Sequence, residues 1–344
     1  PRAAIAMGQG DKDRAEKILG NCFTGLMGFA VILTIGFYIA CPTLLRWFGA
    51  SDATLPYAVE YLRYLMPGAP FLVAQLVINN QLRFQGSAFY GMIGVMVGAL
   101  LNVVLDPIFI FTLDMGVAGA SLATAISKWV SFAILVFPYV TRRSLLHLSI
   151  RNFKPSREIV SEIVTVGSSS MFRSGLAVVS AILLNSIAGS ISDSVLAGIG
   201  VCTKIMMFPF SIILGFGNGF QPVAGFNWGA KRYDRVQESY RFSSRVAFWG
   251  GLVMAAFCIV FADWLIILFA GTDEEMRRIG AFAIITQSIA LPIHAWVAIV
   301  NMYCVGLGEA KGALALSTAR QGSCFLPILY PLAWIFGAWG VGCV

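Results

Sequence analysis

The sequence has few residues that could carry out acid–base or metal chemistry. Its only two histidines, His147 and His294, lie far apart in the chain. Its seven cysteines are scattered and form no Cys-x-x-Cys pair, so we expect neither a zinc site nor a disulfide framework. No cluster of histidine, cysteine and carboxylate residues indicates an active site. We therefore expect no enzymatic activity and no bound cofactor.

Charged residues are also scarce, at 12% of the chain, whereas hydrophobic residues make up 58% and the mean hydropathy is +0.79. Apolar runs of about 20 residues or more, which is long enough to cross a bilayer, recur along the chain. We count nine of them: 22–46, 57–82, 89–112, 117–140, 160–187, 195–226, 246–270, 279–305 and 312–336. The sequence predicts an all-α polytopic membrane protein that has the lipid bilayer as its surroundings.

The formal charge of +7 follows the membrane topology and does not indicate a nucleic-acid partner. Lysine and arginine concentrate before the first run and in the segments 141–159 and 228–245, whereas the alternate loops are short and mainly acidic. An excess of lysine and arginine marks cytoplasmic loops. We therefore expect both basic segments to face the cytoplasm.

The chain repeats itself at an offset of about 221 to 224 residues. GQGDKDRAEK aligns with GAKRYDRVQE, and three further positions align: Pro70 with Pro292, Asn79 with Asn301, and Gly86 with Gly308. Six runs separate the two equivalent basic loops, so both loops face the same side, as parallel repeats require. The repeat predicts two pseudo-symmetric six-helix bundles.

The two copies of the repeat are unequal in length, which bears on the organisation of the domains. The runs 160–187 and 195–226 have no counterpart in the first copy, and the run 117–140 has none in the second. We expect a complete molecule of twelve helices, in which helices 1, 2 and 12 lie outside this chain. We assign 1–141 to the first bundle (helices 3–6), 142–159 to a cytoplasmic linker and 160–344 to the second bundle (helices 7–11).

Polar residues interrupt the apolar stretch LNVVLDPIFIF at 101–111. Asn102 and Asp106 are four residues apart and share one helix face, and Pro107 favours a kink because it removes a backbone hydrogen bond. Thr124 is expected at a similar depth on the next span. Such oxygen ligands suit sodium, and a desolvated carboxylate suits a proton. The alternative is a structural ion pair between Asp106 and Lys128.

Several motifs together resemble the multidrug and toxin extrusion (MATE) transporters. GFGNGFQPVAGFNWGAKRYDRV is similar to the stretch after helix eight of that family, and MGQGDKDRAEKILGN is similar to its counterpart after helix two. RFQGSAFYGMIGVMVGALLNVVLDPIFIF followed by GVAGASLATAIS resembles helices five and six, and Arg320–Gln321 with Pro327 resembles helix eleven. The resemblance covers essentially the entire chain.

The resemblance implies cation-driven export of amphipathic, often cationic, organic compounds by alternating access of two bundles, with Na+ or H+ as the coupling ion. It implies a cation site in the first bundle that comprises Asn79, Asn102, Asp106 and Thr124, together with an aspartate on helix one, outside this chain. We expect a monomer in the cell membrane, and more specifically in a bacterial inner membrane.

The second bundle offers candidates for a substrate cavity. Met171, Phe172, Arg173, Met206 and Met207 are residues that could line a cavity for apolar cations, although packing in the core or against lipid is the alternative. No carboxylate stands at the positions that correspond to Asn102 and Asp106, so we expect no second cation site. A flippase for lipid-linked saccharides is the alternative function, because Arg173, Lys204 and Arg320 could make a cavity cationic.

Overall fold

The computed structural model describes residues 2–47, 52, 54–149, 152–270, 273–319 and 325–342. In this part of the chain, all regular structure is helical, as predicted. The chain divides into two compact units, Arg2–Val160 and Ser161–Val344.

Six α-helices form the first unit. They are α1 (Arg2–Gly8), α2 (Lys12–Trp47), α3 (Leu55–Leu65), α4 (Ala69–Phe84), α5 (Ala88–Pro107) and α6 (Gly116–Val140). A 3-10 turn, Met66–Gly68, joins α3 to α4, and a π-helical turn, Ile108–Thr112, follows α5.

The second unit contains eight α-helices, the first of which begins just before the boundary between the units. They are α7 (Arg157–Ile191), α8 (Asp193–Gly229), α9 (Tyr233–Val260), α10 (Ala262–Ala270), α11 (Glu274–Leu307), α12 (Ala310–Thr318), α13 (Phe325–Phe336) and α14 (Ala338–Gly342). The core of this unit lies where α11 packs between α8 and α9, around Met206, Ile284, Leu291 and Ile299.

In the described part of the chain, eight helical segments are long and apolar enough to cross a membrane, and each coincides with one of the first eight predicted runs, although the seventh run, 246–270, continues beyond its segment into α10. They are Lys12–Trp47, Leu55–Phe84, Ala88–Thr112, Gly116–Val140, Arg157–Ile191, Asp193–Gly229, Tyr233–Val260 and Glu274–Leu307. The protein is therefore a multi-pass membrane protein. The ninth predicted run, 312–336, coincides with the two shorter helices α12 and α13. Residues 320–324 between them, which include the Arg320–Gln321 pair of the helix-eleven resemblance, lie outside the described part.

Several of the spanning helices begin earlier than the apolar runs predict. The largest differences are at Lys12, Tyr233 and Glu274, and the first turns of these helices carry charged residues. Backbone hydrogen bonding continues a helix beyond the hydrophobic region wherever the residues are good helix formers. Hydropathy alone therefore predicts where the apolar stretch ends, but not where the helix ends.

The internal repeat is visible in the backbone. Gly86 and Gly308, which align in sequence, end α4 and α11 with φ angles of 82° and 81°. Gly10 and Lys231, at an offset of 221 residues, likewise both have positive φ angles, of 81° and 58°. A left-handed residue ends a helix by satisfying its last carbonyl groups. The equivalent helices of both copies thus end in the same way.

The segment predicted as a linker packs onto the first unit. Leu146 is buried in a core cluster with Leu19, Leu82 and Leu135. The side chain of Gln85, at the end of α4, accepts hydrogen bonds from the Ser144 hydroxyl (2.5 Å) and the Leu146 amide (3.2 Å). Residues 142–149 are therefore held by the end of the first unit.

Asp273 fixes the start of α11 outside the spans. Its carboxylate accepts a hydrogen bond from the Met276 amide (3.0 Å) and one from the Ser194 hydroxyl (2.7 Å). These two bonds hold the pKa of Asp273 below its ordinary value, because they stabilise the charged form. The acidic loop before α11 thus keeps its negative charge.

The positive charge distribution leads to a topology prediction. Arg143→Cys and Glu238→Cys, both at exposed positions in the basic segments, are expected to resist a membrane-impermeant thiol reagent added outside intact cells. Asp193→Cys, exposed at the first residue of α8 on the opposite, acidic side, is expected to react. A background without native cysteines and a sample of opened cells provide the controls. Labelling of the first two from outside would overturn the topology.

Candidate functional site in the first unit

The structure brings together three of the predicted site residues, at the contact between α5 and α6. The Asn102 amide donates a hydrogen bond to Asp106 Oδ1 (3.1 Å) and lies 3.4 Å from Thr124 Oγ1. The Thr124 hydroxyl donates in turn to the Ala120 carbonyl (3.0 Å). All three side chains are partly buried. The separate sequence positions thus form one polar cluster inside two membrane spans.

The local backbone around Asp106 departs from a regular α-helix. Pro107 ends α5, and the next five residues form the π-helical turn. Proline cannot donate the backbone hydrogen bond that would continue the helix, and π-turns occur often at functional sites. The kink predicted at Pro107 is therefore realised as a widened turn that follows the carboxylate.

Close packing of α5 on α6 holds the cluster in place. A Cβ atom added at Gly98 would lie 2.7 Å from the Ser131 Cβ, and one at Gly119 would lie 2.7 Å from both the carbonyl carbon and oxygen of Phe109. The Ser131 hydroxyl also donates to the Gly94 carbonyl (2.8 Å). Small residues let membrane helices approach closely. Glycines at helical spacing in GMIGVMVGAL are the sequence signal of this contact.

Lys128 is the alternative partner that the sequence offered to Asp106. It is partly buried at the midpoint of α6, and the described residues contain no ion pair between it and Asp106. The Asp106 carboxylate instead accepts its hydrogen bond from Asn102. The structure thus favours a polar cluster over a structural ion pair.

Asn79, the fourth predicted residue, lies apart from the other three. Its amide donates to the carbonyl of Gly91, near the start of α5 (2.8 Å). Gly91 and Asn102 are eleven residues apart on one helix, which corresponds to about 16 Å. Asn301, its counterpart in the repeat, donates in the same way to the Ala313 carbonyl (3.0 Å). This repeated contact between helices indicates a packing role.

The geometry predicts different effects for Asn79→Ala and Thr124→Ala. Asn79→Ala is expected to lower the free energy of unfolding by about 1 kcal/mol, because it removes one hydrogen bond between helices, and to leave the cation dependence of transport unchanged. Thr124→Ala is expected to raise the cation concentration needed for half-maximal transport. Thermal unfolding and cation titration of both variants measure the two effects. A shifted cation dependence in Asn79→Ala would return that residue to the site.

The predicted substrate residues of the second unit do not share one environment. Met206 is fully buried, and its sulfur accepts from the Ser288 hydroxyl (3.8 Å). Met171, Phe172 and Met207 are exposed on the surface of the unit. The Arg173 side chain lies outside the described part. Met206 and Met207, which are adjacent on α8, thus lie in a buried and an exposed environment, respectively.

Comparison with known proteins decides the family. The MatE family model matches residues 1–108 and 170–331. The chain belongs to the MatE family. Asn102 and Asp106 lie within the first matched segment of the MatE chain, whereas Thr124 lies between the two segments.

The MatE chain is also similar to named relatives. The multidrug export protein MepA of Staphylococcus aureus (strain NCTC 8325 / PS 47) is 26% identical over 326 residues, which are 94% of this chain and 70% of the relative. MepA of Staphylococcus saprophyticus is 24% identical over 325 residues, which are 92% of this chain and 69% of the relative.

Solved structures share the fold. An outward-facing multidrug resistance MATE family transporter of the MOP superfamily is 29% identical, with a TM-score of 0.91 over 99% of this chain and 77% of that one. A second structure is that of a MOP superfamily transporter from Pyrococcus furiosus Vc1 (DSM3638), in which the reverse polarity of the binding pocket suggests a different function. It is 28% identical, with a TM-score of 0.90 over 99% of this chain and 77% of that one. The predicted MATE fold is confirmed.

Proposed function

We propose that the protein exports amphipathic, often cationic, organic compounds in exchange for the entry of sodium ions or protons. The observation that carries this proposal is the contact of Asn102, Asp106 and Thr124 inside the first unit. A carboxylate inside a membrane span is costly and usually serves an ion or proton pathway. Multidrug export is the function that the names of the similar proteins give for those relatives.

The cluster suits both candidate ions, through different states of Asn102. In the observed arrangement, the amide group donates to the oxygens of Asp106 and Thr124. Rotation of the amide would present its carbonyl oxygen beside those two oxygens, and oxygen ligands are what sodium prefers. A proton would instead neutralise the carboxylate directly.

Coupling follows from the charge of Asp106. One carboxylate is neutralised by one positive charge, so an entering cation and a departing organic cation would compete for it when they reach the same unit. Such competition, combined with alternating access of the two bundles, would link export to cation entry. The exposed Met171, Phe172 and Met207 would offer polarizable contacts to an apolar substrate.

The setting of this activity is also part of the proposal. We propose that the protein works as a monomer in the plasma membrane, a bacterial inner membrane, with small organic cations as substrates. Large apolar side chains such as Phe29, Ile39 and Trp334 are exposed on the helices, as contact with lipid requires. The flippase alternative is not pursued, because the named relatives are multidrug exporters and Lys204 is exposed on its helix.

The test is efflux of a fluorescent organic cation by cells that express the complete gene, with sodium and pH gradients imposed separately. Export that follows one gradient and ceases when that gradient is collapsed would establish coupling and identify the ion. Equal export with both gradients absent and cellular ATP depleted would refute the proposal. Cells that carry the empty vector measure passive leak of the dye.

A further inference from the structure

The second unit contains a cavity that the proposed transport function does not use. It has a volume of about 340 Å³ and lies between α7, α8, α11 and α12. Ligand cavities in proteins begin at about this size, roughly 300 Å³. None of the predicted substrate residues whose side chains are described is among its lining residues.

A buried amide side chain belongs to the wall of this cavity. Asn301 is 8% exposed, and its Nδ2 group donates both to the Ala313 carbonyl and to the Ser317 hydroxyl, each at 3.0 Å. These two bonds use both amide hydrogens and determine which way the side chain faces. No described residue donates a hydrogen bond to its Oδ1, which can therefore accept one from a ligand or from water.

Ser317 distinguishes this site from its counterpart in the first unit. Asn79 makes the bond that corresponds to Asn301–Ala313, but Val95 stands where the repeat places Ser317. The second hydrogen bond of the amide is therefore possible only in the second unit. The packing contact is common to both copies, whereas the fixed orientation of the Asn301 oxygen is specific to this cavity.

The remaining lining residues are polar at a few points and aliphatic elsewhere. Asn218 is partly buried and makes no hydrogen bond within the described part of the chain, and Ser174 adds a hydroxyl group. Leu214, Val297, Met302 and Leu316 provide apolar wall. An apolar wall with a few polar groups that converge is typical of a small-molecule site.

The described lining of the cavity offers no counter-charge to an ion. No described lining residue is charged, and none is aromatic. An ammonium group would lose its hydration without gaining a carboxylate or a cation–π contact, which is costly. An uncharged molecule with a hydrogen-bond donor loses far less on entry and satisfies the Asn301 oxygen.

We propose that this cavity binds an uncharged amphipathic molecule, with an aliphatic body and a hydroxyl or amide donor that bonds to Asn301 Oδ1. Asn218 would contribute a second hydrogen bond to the same polar group. The site differs in ligand class from the cation cluster of the first unit, and it stands independently of the proposed transport function.

Photolabelling of the purified, full-length protein in lipid nanodiscs tests this proposal. The probe is 3-azioctanol, and the labelled peptides of α8 and α11 are quantified by mass spectrometry. We expect 1-octanol to protect these peptides and its isomer 1-methoxyheptane, which has no donor, to protect them at least about threefold less well. Equal protection by alcohol and ether would overturn the proposal.

Two substitutions on α8 complete the test, and Asn301 is left intact because it also joins α11 to α12. Asn218→Leu keeps a similar volume but removes the amide, so labelling of the cavity peptides should fall by about threefold to tenfold. Asn227→Leu, the same change on the same helix at a partly buried position that is not among the residues lining the cavity, should leave labelling unchanged. Unchanged labelling in Asn218→Leu, or an equal fall in both variants, would refute the site.

Discussion

An Asp106→Asn variant of the complete protein is expected to insert and fold normally and to lose gradient-driven efflux. The substitution keeps the volume of the side chain and its ability to accept a hydrogen bond from Asn102. In the unsubstituted protein, Asn102 Nδ2 lies 3.1 Å from Asp106 Oδ1. It removes the charge and the titratable proton, on which coupling to sodium or protons depends. Efflux should therefore fall to the level of empty-vector cells at equal expression.

The double variant Asp106→Asn, Lys128→Met separates coupling from structural pairing. If the two charges formed a structural pair, removal of Asp106 alone would leave a buried lysine without compensation, and removal of both would restore stability and efflux together. Coupling through Asp106 predicts that the double variant stays inactive however well it folds. Near-normal efflux in Asp106→Asn, or restored efflux in the double variant, would refute the role of Asp106.

A Gly119→Ala variant is expected to be strongly destabilised and to lose transport with it. The added methyl group would lie 2.7 Å from the backbone of Phe109 in the π-helical turn, and backbone atoms cannot rotate away as a side chain could. Overpacking of this kind costs roughly 1–3 kcal/mol. It should also move α6, and with it Thr124, away from Asn102 and Asp106. Thermal unfolding of the purified variant measures the first effect and efflux the second.

Gly25→Ala provides the matched control. Gly25 lies within α2, and nothing in the described chain would come within 4 Å of the added methyl group. Because alanine favours helix more than glycine does, stability should be unchanged or slightly higher. Equal loss of stability in both variants would show that close approach at Gly119 is not the cause.

Much of the architecture could be predicted from the sequence because a membrane restricts the possible structures. In lipid, every backbone polar group needs an internal partner, so each long apolar run becomes a helix. The runs predicted eight of the spans that the structure describes. The repeat likewise predicted equivalent helix ends, such as Gly86 and Gly308, because the same residue at the same turn adopts the same left-handed conformation.

The contact of Asn102, Asp106 and Thr124 could be predicted for a related reason. Helical periodicity places the first two on one face, and a short outer turn brings neighbouring antiparallel spans into register. The sequence by itself therefore determined the spans, the repeat and the level of this cluster, because each depends on short-range regularity along the chain.

Only the tertiary structure decided which neighbour each polar side chain meets. The resemblance placed Asn79 with Asn102 in one cation site, yet the Asn79 amide bonds to the Gly91 carbonyl and not to the cluster. The second hydrogen bond of Asn301 depends on Ser317, sixteen residues away on another helix. Such choices depend on the rotation and close approach of whole helices, which glycines such as Gly98 and Gly119 permit. Periodicity along one helix contains no information about the rotation of the next, so these contacts arise only when the helices pack.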